Sequence, residues 1–174
     1  MSFDDDLNAC AALVEKGDPM KFRAVMAAPV SARRVLFPIY AFNVEVARAP
    51  WLTQEAMIAE MRLQWWRDVC EEIIKGGPVR RHEVASPLAA VVDAEGAALL
   101  DELIAARRWD IYKDSFEDAA HFDRYIDQTA GNLTWVAARA LGPAEAPTVR
   151  KAAQAAGLAN LFLAVPELEA AGRK

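Results

Sequence analysis

The sequence is poor in cysteine and histidine and contains no long apolar run. Its two cysteines, Cys10 and Cys70, have no CxxC spacing, which excludes a disulfide framework or a cysteine-based zinc site and favours a reducing compartment. The two histidines, His82 and His121, are isolated, so neither is expected to bind a metal. The longest uncharged stretch, residues 152–166, is shorter than the roughly 20 apolar residues of a membrane-spanning helix. A glycine-rich phosphate loop and a nucleophile elbow are also absent from the sequence.

Basic residues are fewer than acidic ones, with 20 lysines and arginines against 25 aspartates and glutamates. The formal net charge is -5 and the isoelectric point is about 5.1, which argues against nucleic acid as the main partner because phosphate binding requires clustered basic residues. Residues 1–6 carry three aspartates and no basic segment, so we expect neither a secretory signal nor an import sequence there. We expect a cytoplasmic protein that is soluble or peripheral at the inner face of the membrane.

Helical signals run through the whole chain. Hydrophobic residues make up 54% and charged residues 26%, a globular balance, and the length of 174 residues fits a single domain, 1–174. Asp18 followed by Pro19 is a helix start, Pro38 is expected to kink its helix, and Ser115 with Asp118 three residues on gives a partial capping signal. The predicted helices are 2–16 with Ser2 as cap, 19–27, 31–49, 53–75, 87–92, 97–109, 115–141 and 146–163, with a short turn after Pro166. Helix 53–75 is apolar on most sides, which predicts a central position.

Two clusters of polar and aromatic residues stand on the predicted helices. In helix 31–49 the adjacent residues Arg33 and Arg34 diverge by about 100°, so they cannot both face one ligand. One solvated and one paired arginine is the simpler interpretation. In helix 53–75 the stretch 62–67 (RLQWWR) points its bulky side chains all around the helix, which favours core packing over a ligand site.

Acidic residues are dense between positions 110 and 127. Asp123 and Asp127 are four residues apart, a spacing that places both carboxylates on one helix face and is compatible with a metal ion. A magnesium site that grips a diphosphate needs a second carboxylate cluster across a cavity, and no matching pair occurs elsewhere. A solvated helix face is therefore the preferred interpretation.

Several segments resemble the squalene/phytoene synthase family. They are residues 18–22 (DPMKF), 28–34 (APVSARR), 36–42 (LFPIYAF), 62–67 (RLQWWR), Tyr125, 130–131 (AG) and 141–142 (LG). The likeness covers the chain from about residue 18 onward. It implies an all-α, isoprenoid (terpenoid) synthase-like helical bundle that is shortened at the C-terminus, because the family continues with further helices. We expect either a fragment or a chain whose exposed core a partner covers.

The same resemblance points to missing chemistry. In the catalytic members of the family, two aspartate-rich motifs bind the magnesium ions that hold the substrate diphosphate. Ala47 and Arg48 stand where the first pair of acids belongs, and Ala164 and Leu168 stand at the second. Asp110 matches an aspartate common in the family, but one carboxylate cannot assemble the site. Because ionising a prenyl diphosphate requires several divalent cations, the resemblance implies a protein with no catalytic residues, no bound metal and no cofactor.

One non-catalytic branch of the family is more similar still. Residues 40–45 (YAFNVE), 62–66 (RLQWW) and 164–166 (AVP) resemble the phytoene-synthase-like assembly factors of respiratory complex I. This implies an accessory role in complex I assembly through a protein partner or a lipid, with an isoprenoid or an anionic lipid as candidate ligand and Arg48 able to neutralise a phosphate. The candidate ligand or partner surface comprises Arg33, Arg34, Tyr40, Asn43, Glu45, Arg48, Arg62, Gln64, Trp65 and Arg67.

Two alternatives remain open at this point. One is a divergent prenyl transferase acting on isoprenoid diphosphates through a displaced metal site made of Asp110, Asp123 and Asp127. The other is a structural subunit bound permanently to a larger complex. A cavity between the central helices would favour ligand binding, whereas a cavity filled by Trp65, Trp66 and Phe162 would favour a purely structural role.

Overall fold

Local capping signals set the boundaries of the first helices. The computed structural model describes residues 3–172, and every regular element in that range is helical, which confirms the predicted all-α class. The Asp18 carboxylate accepts a hydrogen bond of 2.9 Å from the Lys21 N–H, with Pro19 at the first helical position, as predicted. The predicted cap Ser2 lies outside the described residues. The first five helices are α1 (Phe3–Gly17), α2 (Pro19–Ala27), α3 (Val30–Arg48), α4 (Ala56–Lys75) and α5 (Ala85–Ala89).

The second half of the chain adds five helices to those five. They are α6 (Ala94–Arg107), α7 (Trp109–Tyr112), α8 (Ala119–Ile126), α9 (Asn132–Leu141) and α10 (Ala146–Ala170). A 3-10 turn, Ala49–Trp51, extends α3, and a π-helical turn, Asp127–Gly131, joins α8 to α9. Within residues 3–172 no helix combines the length and the apolar character that crossing a bilayer requires.

Helix α4 is less central than its composition predicts. It packs mainly against α6 and buries Leu63, Trp66 and Val69, whereas Met57 and Met61 are 75% and 67% exposed. Because α4 is covered on one side only, the prediction of a central helix is wrong for α4. The helix also begins at Ala56 rather than Thr53, since the Thr53 hydroxyl accepts a hydrogen bond from the Glu55 N–H in a local turn.

Helix α3 takes the central position instead. It contacts α1, α2, α5 and α9, and it buries Ile39 and Phe42 completely. The Phe42 ring meets Trp66 of α4 edge to face, with 5.3 Å between ring centroids. Pro38 lies inside the helix and is buried with these side chains. The core therefore forms around the helix that carries the family-like segment 36–42.

Two predicted boundaries near the C-terminal end are wrong. The predicted helix 115–141 begins only at Ala119, with the carboxylate of Asp118 rather than Ser115 as its cap, and the π-helical turn interrupts it. Helix α10 does not stop at Leu163 but runs through Pro166 to Ala170. Pro166 leaves the carbonyl of Phe162 without its helical donor, and both residues are exposed to solvent.

Candidate functional site

A central cavity of about 800 Å³ lies between α3 and α10. The end of α1, the start of α2, the last turns of α3 and the segment from Arg107 to Thr134 form its other walls. This volume falls within the range of about 300–1,000 Å³ typical of small-molecule sites. Trp65, Trp66 and Phe162 do not line it: Phe162 is 70% exposed, and the two tryptophans pack edge to face with 4.8 Å between ring centroids. The cavity is therefore retained rather than filled.

Close packing fixes the α10 wall of the cavity. A Cβ atom at Gly157 would lie 2.6 Å from the Cβ of Ala130 and 3.2 Å from a methyl group of Ile126. A separation of 2.6 Å is too short for two carbon atoms, so only glycine lets α10 approach the π-helical turn this closely. The glycine thus positions the second half of α10 opposite α3.

An arginine anchors the same helix by hydrogen bonds. Arg150 of α10 donates to Asp127 Oδ1 at 2.8 Å and to the side-chain oxygen of Asn132 at 3.0 Å. Asn132 is buried, and its amide donates to the Leu99 carbonyl at 3.1 Å and to Glu102 Oε2 at 3.1 Å. One buried amide therefore connects α6, α9 and α10, and sequence reasoning did not single out either Arg150 or Asn132.

The π-helical turn shapes the floor of the cavity. Its extra residue breaks the regular hydrogen-bond ladder, and the buried Thr129 hydroxyl donates to the carbonyl of Tyr125 at 2.6 Å. Single π-helical turns often occur at functional sites because they redirect side chains. Here Tyr125, Ile126, Thr129 and Ala130 all line the cavity.

A buried polar cluster stands at the floor. The Tyr125 hydroxyl donates to the Asp110 carboxylate, and Arg107 donates to the Tyr125 hydroxyl at 2.8 Å and to Asp110 Oδ2 at 3.2 Å. Burial of Arg107 disfavours its charged form, but Tyr125 and Asp110 outweigh this effect and raise the pKa of the guanidinium. Asp110 thus forms an ion pair with Arg107, three residues earlier in the chain. This spacing is visible in the sequence, but the prediction did not include the pair.

The four positions where the family resemblance places metal-binding acids all face this cavity. Ala47 and Arg48 line it from α3, and Ala164 and Leu168 line it from α10. The geometry of two opposed motifs is therefore present, but none of the four side chains is a carboxylate. Over residues 3–172, no group of three histidine, cysteine or acidic side chains is arranged to hold a metal ion.

The displaced metal site of the alternative hypothesis is not supported. Asp110 is bonded to Tyr125 and Arg107, Asp127 is paired with Arg150, and Asp123 is exposed. The three carboxylates are therefore engaged separately rather than converging on one point. The neighbouring Asp118 is used as the cap of α8.

The predicted surface residues on α3 divide between two places. Asn43 and Arg48 line the cavity, and Arg48 forms an ion pair with Glu45 one turn earlier. Tyr40 is half-buried under Lys21, whose ammonium lies 5.5 Å from the ring centroid, and burial raises the pKa of the phenol. This group stays close to the cavity.

Arg33 and Arg34 lie at the start of α3 and serve local structure. Arg33 donates to the carbonyls of Met26 and Ala28 and so closes the end of α2, whereas the exposed Arg34 pairs with Asp4 at 3.2 Å. One arginine is therefore paired with an acid, as interpreted. The other is bonded to backbone rather than simply solvated.

The predicted residues of α4 lie outside the cavity. Arg62 is exposed, and Gln64 donates to Asp68 at 2.8 Å. Arg67 makes a bidentate ion pair with Asp101 of α6, at 2.7 and 2.9 Å. The Trp65 ring stacks under Arg80, whose guanidinium carbon lies 5.3 Å from the ring centroid. That these residues form a partner surface stays a prediction.

An all-α bundle whose central cavity opens between two helices with facing family motifs defines the isoprenoid synthase-like class. The chain belongs to the squalene/phytoene synthase family, whose model matches residues 14–173.

Two curated relatives indicate which branch of the family the chain resembles. The chain is 28% identical over 166 residues to "NADH dehydrogenase (ubiquinone) complex I, assembly factor 6 homolog" of Drosophila melanogaster, a match that covers 90% of this chain and 50% of the fly protein. It is 24% identical over 135 residues to the human complex I assembly factor 6, covering 76% of this chain and 40% of that protein. The chain thus spans half or less of each relative, and the expected resemblance to the assembly-factor branch is confirmed. No solved structure matches the chain at comparable significance.

Proposed function

We propose that this chain is a non-catalytic accessory factor in the assembly of respiratory complex I, acting through a protein partner or a lipid. The observation that carries the proposal is the retained cavity whose four metal-binding positions are Ala47, Arg48, Ala164 and Leu168. A scaffold selected for prenyl transfer would keep its carboxylates, because the departing diphosphate needs divalent cations. The names of the similar fly and human proteins support the complex I assignment.

The proposed working place is the inner face of the membrane, where a peripheral cytoplasmic protein would meet assembly intermediates. Exposed apolar side chains on the outer face of α10, Phe162 and Leu163, support contact with a partner or a membrane surface, since each is 70% exposed. Cell fractionation tests the location: recovery in the membrane pellet, released by high salt or alkaline wash, is the expected result. Recovery in the soluble fraction alone contradicts it.

Gene deletion in the native host tests the assembly role. We expect lower NADH:ubiquinone oxidoreductase activity and a smaller amount of the assembled complex on native gels, both restored by the wild-type gene. Succinate:ubiquinone oxidoreductase activity serves as the control and should not change. Unchanged complex I assembly in the deletion strain would refute the proposal.

A separate assay tests the absence of catalysis. The purified chain is incubated with farnesyl or geranylgeranyl diphosphate and magnesium, and released pyrophosphate is measured. We expect no release above the protein-free rate. Turnover that disappears in the variant Asp110→Asn would support the alternative prenyl transferase instead.

A further inference from the structure

The central cavity carries an excess of positive charge in an acidic protein. Four basic and three acidic side chains line it, whereas the whole chain has a net charge of -5. The basic residues are Lys16, Lys21, Arg48 and Arg107, and the acidic ones are Asp18, Asp110 and Glu167. Such a local excess attracts anions, and a low-dielectric cavity strengthens the attraction.

Two of the three acids are already committed to internal hydrogen bonds. Asp18 accepts from the N–H of Lys21 as the cap of α2, and Asp110 accepts from Tyr125 and Arg107. Among the residues that the structure describes, neither Lys16 nor Lys21 forms an ion pair. The two ammonium groups are thus available to an anionic group at this end of the cavity.

Arg48 places a third cation where the family resemblance expects an acid. It pairs on the same helix with Glu45, and its own side chain is 43% exposed while that of Glu45 is 17% exposed. The exposed part of the guanidinium, whose planar fork suits phosphate oxygens, can take a phosphate as a second partner. Because Arg48 is positively charged, it can hold an anion at this position without a divalent cation. The same charge repels a divalent cation that would bind there.

The remaining lining is apolar. Leucine and isoleucine side chains from α1, α8, α9 and α10 face the space, among them Leu13, Ile126, Leu133, Leu161 and Leu168. Burying a hydrocarbon chain against such walls is favourable in proportion to the area removed from water. One end of the bound molecule is therefore anionic and the other is a hydrocarbon chain.

The floor offers a further donor. The Nε atom of Arg107 is buried and, within residues 3–172, has no hydrogen-bond partner. Buried donors are normally satisfied, so an unpaired one beside a cavity indicates an acceptor supplied by a bound molecule or its water. This observation is independent of the charge count at the mouth.

We propose that the cavity binds a single-chain lipid whose phosphodiester headgroup carries a net negative charge and that it does so without a divalent metal. The proposal deepens the proposed function and rests on it in one respect, namely that the cavity serves binding rather than turnover. With Arg48 paired to Glu45 and Arg107 to Asp110, Lys16 and Lys21 are the basic side chains of the lining left to bind the single negative charge of the headgroup. A diphosphate carries more charge than this lining neutralises, and no carboxylate pair is present to recruit metal ions for it.

Native mass spectrometry of the full chain tests the proposal, with lysophosphatidylglycerol as probe, below its micelle concentration and with EDTA present. We expect a one-to-one complex that magnesium does not strengthen. Lysophosphatidylcholine, which has the same chain and no net charge, should bind at least tenfold more weakly, and glycerol phosphate, which has no chain, should not bind. Equal binding of the two lysolipids, or loss of binding in EDTA, would overturn the proposal. Tighter binding of farnesyl diphosphate in EDTA would also overturn it.

Variants distinguish the cavity from the rest of the surface. Arg48→Glu should weaken lysophosphatidylglycerol binding at least tenfold, and Ala164→Phe, which fills the cavity without changing charge, should abolish it. Arg62→Glu makes the same charge change at an exposed site on α4 and is expected to bind like the wild type. Circular dichroism checks that each variant is folded, and Arg48→Glu reports on binding even if Ala164→Phe is unstable. Equal effects of Arg48→Glu and Arg62→Glu would refute the cavity as the site.

The binding assay and the deletion assay can each refute one proposal without refuting the other. A wild-type chain that restores complex I assembly but binds no lysophosphatidylglycerol refutes the ligand proposal and leaves the assembly role standing. A chain that binds the lipid but whose deletion leaves complex I unchanged refutes the assembly role alone. The variant Arg48→Glu in the deletion strain then shows whether the bound lipid matters for assembly: partial loss of complex I is expected.

Discussion

The hydroxyl oxygen of Tyr125 lies 2.8 Å from Oδ2 and 3.0 Å from Oδ1 of Asp110, and both side chains are buried. A buried carboxylate is costly unless it is paired and hydrogen-bonded, and Asp110 meets both conditions through Tyr125 and Arg107. In the family resemblance Asp110 is the one acid retained. Its contacts show that here it organises the cavity floor rather than waiting for a metal ion.

Removing the Tyr125 hydroxyl should therefore destabilise the fold. Tyr125→Phe takes a donor from buried Asp110 and an acceptor from Arg107, and we expect a loss of about 1–3 kcal/mol in the free energy of unfolding. Tyr112→Phe is the matched control, because that phenol is 57% exposed and bonds to Glu60 at the surface. Urea titration of both variants measures the difference. A control loss as large as that of Tyr125→Phe would contradict the role of the buried cluster.

The second prediction concerns the packing of α10 against the π-helical turn at Gly157. Gly157→Val places side-chain atoms where even a Cβ would be 2.6 Å from Ala130, so we expect a loss of about 1–3 kcal/mol from overpacking. Ala155→Val introduces the same side chain on the exposed face of the same helix and should cost only the propensity difference, roughly 0.5 kcal/mol. Thermal unfolding monitored by circular dichroism compares them. Similar melting temperatures for the two variants would show that α10 is not seated by its glycine.

The sequence predicted the helical class and most helix starts because these depend on local signals. Asp18 with Pro19, and Gly76 directly after the predicted helix 53–75, act through hydrogen bonds and backbone conformations within one turn and stand where expected, whereas Asp118 caps α8 in place of Ser115. The one-sided packing of α4 could not be predicted in this way, and the expected central position was wrong. Its methionines are apolar by composition, but Met57 and Met61 remain exposed because only one side of α4 meets another helix.

The cavity was predictable only in part, for a similar reason. The motif likeness identified Ala47, Arg48, Ala164 and Leu168, and all four indeed line one space. The lysines at its mouth and the anchor Arg150 carry no local signal, since their role depends on contacts between helices far apart in the sequence. A π-helical turn at Asp127–Gly131 leaves no recognisable pattern either, and it decides which side chains form the floor.

The third prediction is a pH dependence at the loop after α4. Arg80 donates to Glu72 from its side chain and from its backbone N–H, and these bonds lower the pKa of the Glu72 carboxyl. A lowered folded-state pKa contributes stability that is complete above the unfolded value, about 4.3, and is lost as pH falls through the lowered folded value.

The stability difference between the wild type and Glu72→Gln should therefore be constant near neutral pH and shrink below about pH 4.3. Glu71→Gln is the control, because Glu71 is exposed and pairs with Lys75 one turn away. Urea midpoints measured from pH 7 to pH 3 provide the comparison. A difference that grows with acidity would reverse the predicted sign.

The fourth prediction concerns the two thiols. Burial, followed by nearby acids, raises the pKa of Cys10 to about 12, and burial with Asp101 raises that of Cys70 to about 12. We expect no alkylation by N-ethylmaleimide at pH 8 in the folded protein and two adducts in urea, counted by mass spectrometry. Because unfolded thiols ionise near pH 8.5 while the folded ones stay neutral, stability should also fall as pH rises above that value. Rapid labelling of either thiol in the native protein would contradict this picture.

The last prediction tests whether the α10 wall opens by itself. Arg150 joins this helix to Asp127 and Asn132, and Arg150→Met would leave the buried amide of Asn132 without its donor, at a cost of about 1–3 kcal/mol. Of the α10 residues only Ala153 is buried, so we expect this anchor to act together with the packing of Gly157 against Ala130 in holding the helix. Amide hydrogen exchange should therefore accelerate in α10 while α3 and α6 keep their protection. Lys151→Met, an exposed neighbour on the same helix, should leave the exchange of α10 unchanged. If Arg150→Met accelerates exchange equally in α3, then the cavity wall and the core unfold as one unit, and α10 is no independent gate to the cavity.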